Sequence, residues 1–167
     1  MDDTRWLSPD ELTAWTTFVA VVELLPGVLD SQLQRDAELS HFEYFVLAML
    51  SEAPQKTLRM TGLASATNAT LPRLSHVVSR LEKRGFVERT PCAEDRRATN
   101  AVLTDAGWNK VVETAPGHVE TVRHNVLDPL SGDDLADLTR VMGRMLATLD
   151  PDHRFNSAAN SAANSGP

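Results

Sequence analysis

The chain is poor in the residues that make disulfides, membrane spans and export signals. Cysteine occurs once in 167 residues, as Cys92, so no disulfide can form within the chain and a reducing compartment is expected. No unbroken run of about 18 apolar residues occurs, which predicts no membrane-spanning helix. The N-terminus, MDDTRW, is acidic and lacks the basic-then-apolar pattern of a secretory signal. We therefore expect a cytoplasmic protein without a membrane partner.

The chain also lacks the short motifs of common enzymes and metal sites. It has no phosphate-cradling glycine loop, no nucleophile elbow and no paired-histidine zinc motif. Glu120 and His124 share one predicted helix face, but His118 lies on another, so a solvated face is the main interpretation. Neither an enzyme nor a cofactor is expected. A metal-gated regulator stays open as an alternative that a chelator would reveal.

Basic residues are in the minority, yet they are concentrated. The formal net charge is −7, but residues 55–97 hold nine basic and four acidic residues, a balance of +5. The remainder holds seven basic and nineteen acidic residues, a balance of −12. This asymmetry favours a module that faces a polyanion, carried by an acidic body. A solvated basic face is the alternative on charge alone.

Capping residues predict two helices in the first third of the chain. Ser8 and Glu11 form a capping-box pattern before apolar residues at helical spacing, and Pro26-Gly27 is expected to kink or break that helix. Ser40 and Glu43 repeat the pattern before a short helix of nearly continuous apolar sequence. The chain thus opens with one long bent helix, or two collinear ones, and then a buried helix.

The middle of the chain predicts a helix-turn-helix followed by a ribbon. TLRM is a possible minimal strand, Thr61 caps a short helix, and Thr70 caps a sharper helix that ends at Gly85. FVERT and TNAVLT then read as two strands joined by the loop 91–97. The second helix is polar on one face, which carries Arg73, Ser75, His76, Ser79, Arg80 and Lys83.

Two helices are predicted after the ribbon. Thr104 caps a long helix to about Val126, and Ser131 with Asp134 caps a final one. The final helix has an apolar stripe consisting of Leu135, Leu138, Met142, Met145 and Leu149. The tail NSAANSAANSGP is low in complexity and is expected to be disordered.

This order of elements predicts a mainly α protein with a small β-hairpin: a winged helix-turn-helix with a helical dimerisation region. A polar-faced helix fits the major groove of DNA. A loop arginine is slim enough for the minor groove, where A·T tracts concentrate negative potential. A winged module that binds proteins without DNA is the alternative, and salt dependence of DNA binding would separate the two.

The chain resembles the multiple antibiotic resistance regulator (MarR) family of winged helix-turn-helix transcription factors. LEKRGFVER followed by EDRRATNAVLTDAG carries the resemblance, and the helical order matches over roughly residues 8–149. It implies that the helix from Thr70 to Arg84 recognises DNA, that Arg97 enters the minor groove, held by a bidentate pair with Asp95, and that Arg96 meets phosphate. The full implied DNA-binding set is Thr70, Arg73, Ser75, His76, Ser79, Arg80, Lys83, Arg89, Asp95, Arg96 and Arg97. Leu71 and Pro72 depart from the polar residues common in the family.

The resemblance further implies a homodimer that acts as a ligand-responsive repressor on a pseudo-palindromic operator. The implied division is an N-terminal dimerisation helix at 1–39, a DNA-binding lobe at 40–104, C-terminal dimerisation helices at 105–149 and a tail at 150–167. A small aromatic or lipophilic ligand is expected between body and lobe, in a pocket lined by Trp15, Phe18, His41, Phe45, Met49 and Arg59. Helical spacing alone assigns most of these aromatic side chains and Met49 to the core. Cys92 is interpreted as a bystander in the wing.

Overall fold

The structure is a computed structural model that describes residues 4–92, 95 and 97–155. Within these residues the chain forms six α-helices and three strands, which confirms the predicted mainly helical, winged helix-turn-helix fold. In chain order they are α1 (Pro9–Ala37), α2 (His41–Glu52), β1 (Thr57–Arg59), α3 (Met60–Ala66), α4 (Leu71–Lys83), β2 (Val87–Pro91), β3 (Thr99–Leu103), α5 (Asp105–Val122) and α6 (Gly132–Leu149). The predicted disorder of the tail concerns residues 156–167, which lie outside the described part.

The helix starts follow the predicted capping chemistry with one exception. Both hydrogen bonds of a capping box form at Ser8, Ser40 and Ser131, and the hydroxyls of Thr70 and Thr104 cap α4 and α5. The exception is α3, where the predicted cap, Thr61, lies inside the helix and the cap position belongs to Arg59, which makes no side-chain cap bond.

The predicted break in the first helix does not occur. Pro26 lies inside α1, which runs unbroken over 29 residues. Proline removes one i to i−4 hydrogen bond and crowds the preceding turn. The intact turns on both sides keep the helix continuous, so the first of the two alternatives, one long helix, is the one observed.

The wing is a three-stranded antiparallel sheet in the order β1-β3-β2. Ala101 of β3 pairs with Leu58 of β1 on one side and with Arg89 of β2 on the other. The hairpin predicted from the sequence is β2 and β3, and the minimal strand TLRM joins it as the third strand. This pairing ties the start of the helix-turn-helix to the wing.

A continuous apolar core fills the lobe formed by α2, α3, α4 and the sheet. Leu63, Leu74 and Leu81 are all 0% exposed, and Leu33 from the end of α1 joins the same cluster. Burying one leucine side chain stabilises a fold by roughly 1.5–3 kcal/mol. The core therefore holds α4 rigidly against the sheet, with its polar face outward.

A glycine allows close packing where the wing meets α5. A Cβ atom on Gly107 would lie 2.1 Å from the carbonyl oxygen of Phe86, so only glycine fits. Nearby, the Thr104 hydroxyl donates a 2.7 Å hydrogen bond to the carbonyl of Gly85, which has the left-handed φ of +76°. These contacts fix the end of α4 to the start of α5.

The remaining helices cover little of their own apolar surface. No residue of α6 is buried, and Trp15, which helical spacing assigns to the core, is 53% exposed. Helix α1 is long and apolar enough to cross a membrane by length and composition, with only 6% of its most apolar stretch buried. This stretch passes although no unbroken run of about 18 apolar residues occurs, because threonines and Glu23 interrupt it. That no helix spans a membrane therefore stays a prediction.

Candidate nucleic-acid interface

Helix α4 presents a polar face from a fixed base. The hydroxyl of Thr70 accepts a hydrogen bond from the backbone N–H of Arg73 at 3.4 Å, which closes the first turn. Arg73, His76 and Lys83 are exposed, while Leu74, Val77, Val78 and Leu81 face the core. The helix N-terminus also offers backbone N–H groups and a positive dipole end, which favour phosphate.

Arg89 of β2 is turned toward α4 and held there. Its guanidinium Nη2 donates to the carbonyl of Ser75 at 2.7 Å and to the hydroxyl of Ser79 at 2.9 Å. Its Nη1 lies 3.2 Å from a carboxylate oxygen of Glu82. In this structure Arg89 pins the wing to the recognition helix, and its interpretation as a phosphate contact stays a prediction. Ser75 and Ser79 share that structural task.

Arg80 is also committed within the protein. Its Nε lies 3.1 Å from a carboxylate oxygen of Glu43, which is only 7% exposed. The same carboxylate accepts the cap hydrogen bond from the backbone N–H of Ser40 at 2.8 Å. Arg80 therefore joins α4 to the start of α2.

Arg73 stays exposed, although its guanidinium lies 4.4 Å from the ring centre of Phe42.

The wing presents Arg97 in a different way from the predicted clamp. A carboxylate oxygen of Asp95 accepts the backbone N–H of Arg97 at 3.0 Å, which shapes the turn. The side-chain contact is a single one of 3.7 Å, and the Arg97 side chain is 95% exposed. The bidentate pair is thus wrong, because the carboxylate is engaged by the backbone. Arg96, assigned to phosphate, lies outside the described residues.

Cys92 closes the base of the wing. It is 7% exposed, and its sulfur accepts a 3.3 Å hydrogen bond from Nη2 of Arg59. Between the wing and the helix-turn-helix runs a groove of about 250 Å³. It is lined by Arg59, Met60, Thr61, Leu71, Ser75, Arg89, Arg97, Ala98 and Thr99. Three arginines thus border one groove beside the first turn of α4.

The six residues expected to line a ligand pocket fall into separate surroundings. Trp15 and Phe18 pack on each other along α1, with ring centres 6.2 Å apart. Met49 is buried in the core, and Arg59 lies at the wing groove. Of the three grooves described in this structure, none brings the six together. The shared pocket therefore stays a prediction without support from the described geometry.

His41 and Phe45 meet neighbours that the sequence did not indicate. The ring of His41 lies 6.3 Å from that of His118 on α5, and Tyr44 lies 4.7 Å from His118. Burial lowers the pKa of both histidines; the carboxylate of Asp30 opposes this at His41, and the neighbouring His41 adds to it at His118. Phe45 contacts Phe155, beyond the end of α6.

No group of three or more histidine, cysteine or acidic side chains is arranged to hold a metal ion in the part of the chain that the structure describes. His118 is instead packed against Tyr44, and His124 lines a groove between α1 and the end of α5. The metal alternative therefore gains no geometric support.

Sequence reasoning missed the residues that orient the interface. Glu43 reads as a capping residue and Glu82 as a helix-surface charge, yet each holds an arginine assigned to DNA. Each partner lies on a different secondary-structure element, so spacing within one helix or strand does not reveal it.

A polar recognition helix beside an arginine-tipped wing defines a winged helix-turn-helix nucleic-acid-binding protein. A family model described as "MarR family" matches residues 39–99. The chain is 31% identical over 131 residues to the HTH-type transcriptional regulator PecS of Dickeya dadantii, covering 77% of each protein. The chain belongs to the MarR family of DNA-binding transcriptional regulators and is not an enzyme.

Two solved structures from Streptomyces coelicolor are similar in fold and sequence. Sco3205, a MarR family transcriptional regulator solved in complex with DNA, is 42% identical with a TM-score of 0.85, and the match covers 90% of this chain and 94% of that one. AbsC, also a MarR family transcriptional regulator, is 37% identical with a TM-score of 0.84, over 89% and 99% of the two chains.

Proposed function

We propose that the protein is a homodimeric repressor that binds a pseudo-palindromic operator and releases it on binding a small ligand. The DNA-binding part of this proposal rests on a difference between two pairs of arginines in the lobe. Arg80 and Arg89 pair with Glu43 and Glu82 within the lobe, while Arg73 on α4 and Arg97 on the wing are exposed. The DNA complex solved for Sco3205 supports this use of the fold.

Within this proposal the exposed residues of α4 contact DNA directly. Thr70, Arg73 and His76 lie in the first two turns, where a recognition helix meets base edges and phosphates. Lys83, at the far end, suits a phosphate. Arg97 enters the minor groove, and Asp95 acts by shaping its turn. Acting on DNA places the protein in the cytoplasm.

Dimerisation would cover the exposed apolar surface of the helical body. Leu24 is 69% exposed on α1, and Leu149 is 78% exposed on α6. Exposed apolar surface on this scale, when it forms a patch, marks an interaction site. We assign residues 1–39 and 105–149 to the dimer interface and 40–104 to the DNA-binding lobe. A dimer interface also accounts for the apolar surface of α1 without a membrane.

Ligand response would act as a population shift. A ligand that binds a form with wrongly spaced recognition helices better than the DNA-competent form lowers operator affinity. The same six residues, from Trp15 on α1 to Arg59 on β1, remain the proposed contacts for an aromatic or lipophilic molecule. Such a site would need the two lobes, or two copies, to complete its walls.

Selection of bound sequences from random duplexes tests the proposal. The expected product is a short inverted repeat whose affinity falls steeply with salt, because phosphate contacts release counterions. Repeating the selection with aromatic ligands tests the response. A protein that binds no duplex at low salt, yet captures a partner protein in a salt-insensitive way, would contradict the proposal.

Arg97→Ala should weaken binding to the selected operator by about 1–3 kcal/mol, since it removes a minor-groove contact. Fluorescence anisotropy with labelled duplex measures the change. Arg140→Ala, on the side of α6 away from its apolar stripe and paired there with Asp137, is the matched control and should leave operator affinity unchanged. Equal affinities of the Arg97 variant and the parent protein would rule out the wing assignment.

A further inference from the structure

The chain after α6 folds back onto the DNA-binding lobe. Helix α6 makes only sparse contacts with the other described elements of its own chain. At its end, both carboxylate oxygens of Asp150 accept backbone hydrogen bonds, from Arg154 at 3.0 Å and from Phe155 at 2.8 Å. We call Asp150–Phe155 the C-terminal strap.

The strap forms a hydrogen-bonded turn and is not extended. The backbone N–H of His153 donates to the carbonyl of Asp150 at 3.1 Å, and His153 has a left-handed φ of +50°. A left-handed backbone is uncommon for a residue other than glycine and needs surrounding contacts to hold it. The Asp150 carboxylate supplies those contacts, and its hydrogen bonds to the backbone of Arg154 and Phe155 lower its pKa.

The strap ends in an aromatic contact with the lobe. The ring centre of Phe155 lies 5.7 Å from that of Phe45, with the planes tilted by 40°. Phe45 belongs to α2 and packs against the buried core. Aromatic pairs at this separation contribute beyond their buried area. Phe155 is thereby anchored to α2, which is joined to α4 by the ion pair between Glu43 and Arg80.

The strap also approaches the start of the recognition helix. A groove of about 940 Å³ separates it from the turn between α3 and α4. One wall carries Asn68, Ala69 and Thr70, and the other carries Leu149 and Phe155. The strap and the cap of the recognition helix thus face each other across one groove.

We propose that the C-terminal strap couples α6 to the DNA-binding lobe through Phe155 and Phe45, and that this coupling is needed for full operator affinity. This inference rests on the proposed dimer. Two recognition helices must meet successive major grooves of one operator. A lobe already fixed on its dimerisation helix loses less conformational freedom when DNA binds. Releasing the strap therefore weakens binding to a two-half-site operator and spares binding to a single half-site.

Phe155→Ala tests the coupling with two duplexes, the selected inverted repeat and one half of it. Mutations along a coupling route change coupling by 0.5–2 kcal/mol, so affinity for the full repeat should fall roughly 2- to 30-fold. Affinity for the half-site should not change. Asp150→Ala, which removes both acceptors and frees the strap by another route, should give the same pattern.

The ring contact itself is tested by a double-mutant cycle with Phe45→Ala. If Phe155 acts through Phe45, the double variant loses no more full-site affinity than either single variant. His153→Asn is the matched control within the strap, because asparagine tolerates the left-handed backbone. Sedimentation and thermal unfolding of each variant show that the dimer and the fold persist.

An unchanged full-site affinity of both strap variants would overturn the inference. An equal loss on full and half sites would overturn it too, since the effect would then lie within one lobe. If the parent protein selects no inverted repeat, the proposed dimeric function is wrong, and so is the coupling that rests on it. If the parent protein binds the repeat as a dimer and the strap variants bind it equally well, only the coupling is wrong.

Discussion

The DNA-binding lobe and the helical body of this chain differ in how they cover apolar surface. Leu63, Leu74 and Leu81 of the lobe are 0% exposed, whereas Leu24 on α1 and Leu149 on α6 are 69% and 78% exposed. The lobe closes its own core, so one chain stabilises it. The body leaves its apolar faces open, and these are the faces that the proposed dimer would cover. The same chemistry, leucine on a helix, serves folding in the lobe and, in the proposed dimer, association in the body.

The largest expected effect comes from breaking the lobe's core. Leu74→Ala should lower the free energy of unfolding by about 2–5 kcal/mol, because it leaves a cavity among fully buried side chains. Leu71→Ala, one turn earlier on α4 and 45% exposed, is the control and should change it by less than about 0.5 kcal/mol. Urea denaturation followed by circular dichroism measures both. Similar losses in the two variants would show that the lobe does not rely on its core.

Breaking the body should act on association. Met142→Glu places a charge in the apolar stripe of α6 and should weaken dimerisation by at least about 2 kcal/mol, roughly thirtyfold, since burying an unpaired carboxylate is costly. Analytical ultracentrifugation across a concentration series measures the dissociation constant. The lobe's own core is untouched, so its helical signal should persist.

Ala147→Glu is the matched control for that change. It introduces the same side chain on the same helix, five residues on, which turns it to the side away from the stripe. The control should remain dimeric at concentrations where Met142→Glu dissociates. Two dimers of equal strength would mean that the stripe of α6 is not part of the interface.

Arg89 and Arg97 of the wing should differ in whether their loss affects stability as well as operator affinity. Arg89→Ala removes charge-assisted hydrogen bonds to Ser75, Ser79 and Glu82, so it should cost about 1.5–3 kcal/mol of stability as well as operator affinity. Arg97→Ala should cost affinity alone, since its side chain is 95% exposed. Thermal unfolding beside anisotropy separates the two. An Arg89 variant with parental stability but weakened operator binding would indicate that Arg89 contacts DNA directly.

The sequence predicts the parts of the fold that depend on local chemistry. Caps such as Ser40 and Thr70 are local signals, because the side chain bonds a backbone three residues away. The strand pair and the polar face of α4 follow from alternation and helical spacing in the same way. Helix order and the family follow from these elements together.

Contacts between residues that are far apart along the chain could not be predicted from the sequence. The bonds of Arg80 to Glu43 and of Arg89 to Ser75 join elements whose relative placement is set by the core. The contact of Phe155 with Phe45 spans most of the chain, and Phe155 lies just before the tail whose composition predicts disorder, so no local pattern indicates it. The identity of a side chain tells which contacts it can make. The packing of the elements determines which partner it contacts.

The smallest expected effect is a pH dependence at the junction of body and lobe. Burial lowers the pKa of His41 and His118 below 6.5, so the unfolded chain binds more protons than the folded one. Their contribution to stability is complete above that value and is lost as pH falls through it toward the lowered folded pKa. The carboxylates with lowered pKa, such as Asp150, act in a separate pH window, because their unfolded pKa is 3.8.

Between about pH 7.5 and 5.5 the melting temperature should therefore fall as pH falls. His118→Phe keeps a ring beside Tyr44 but cannot be protonated, so it should reduce that fall. His76→Phe, on the exposed face of α4, is the control and should keep the parental pH profile. If both variants track the parent, protonation of this histidine pair does not govern the junction.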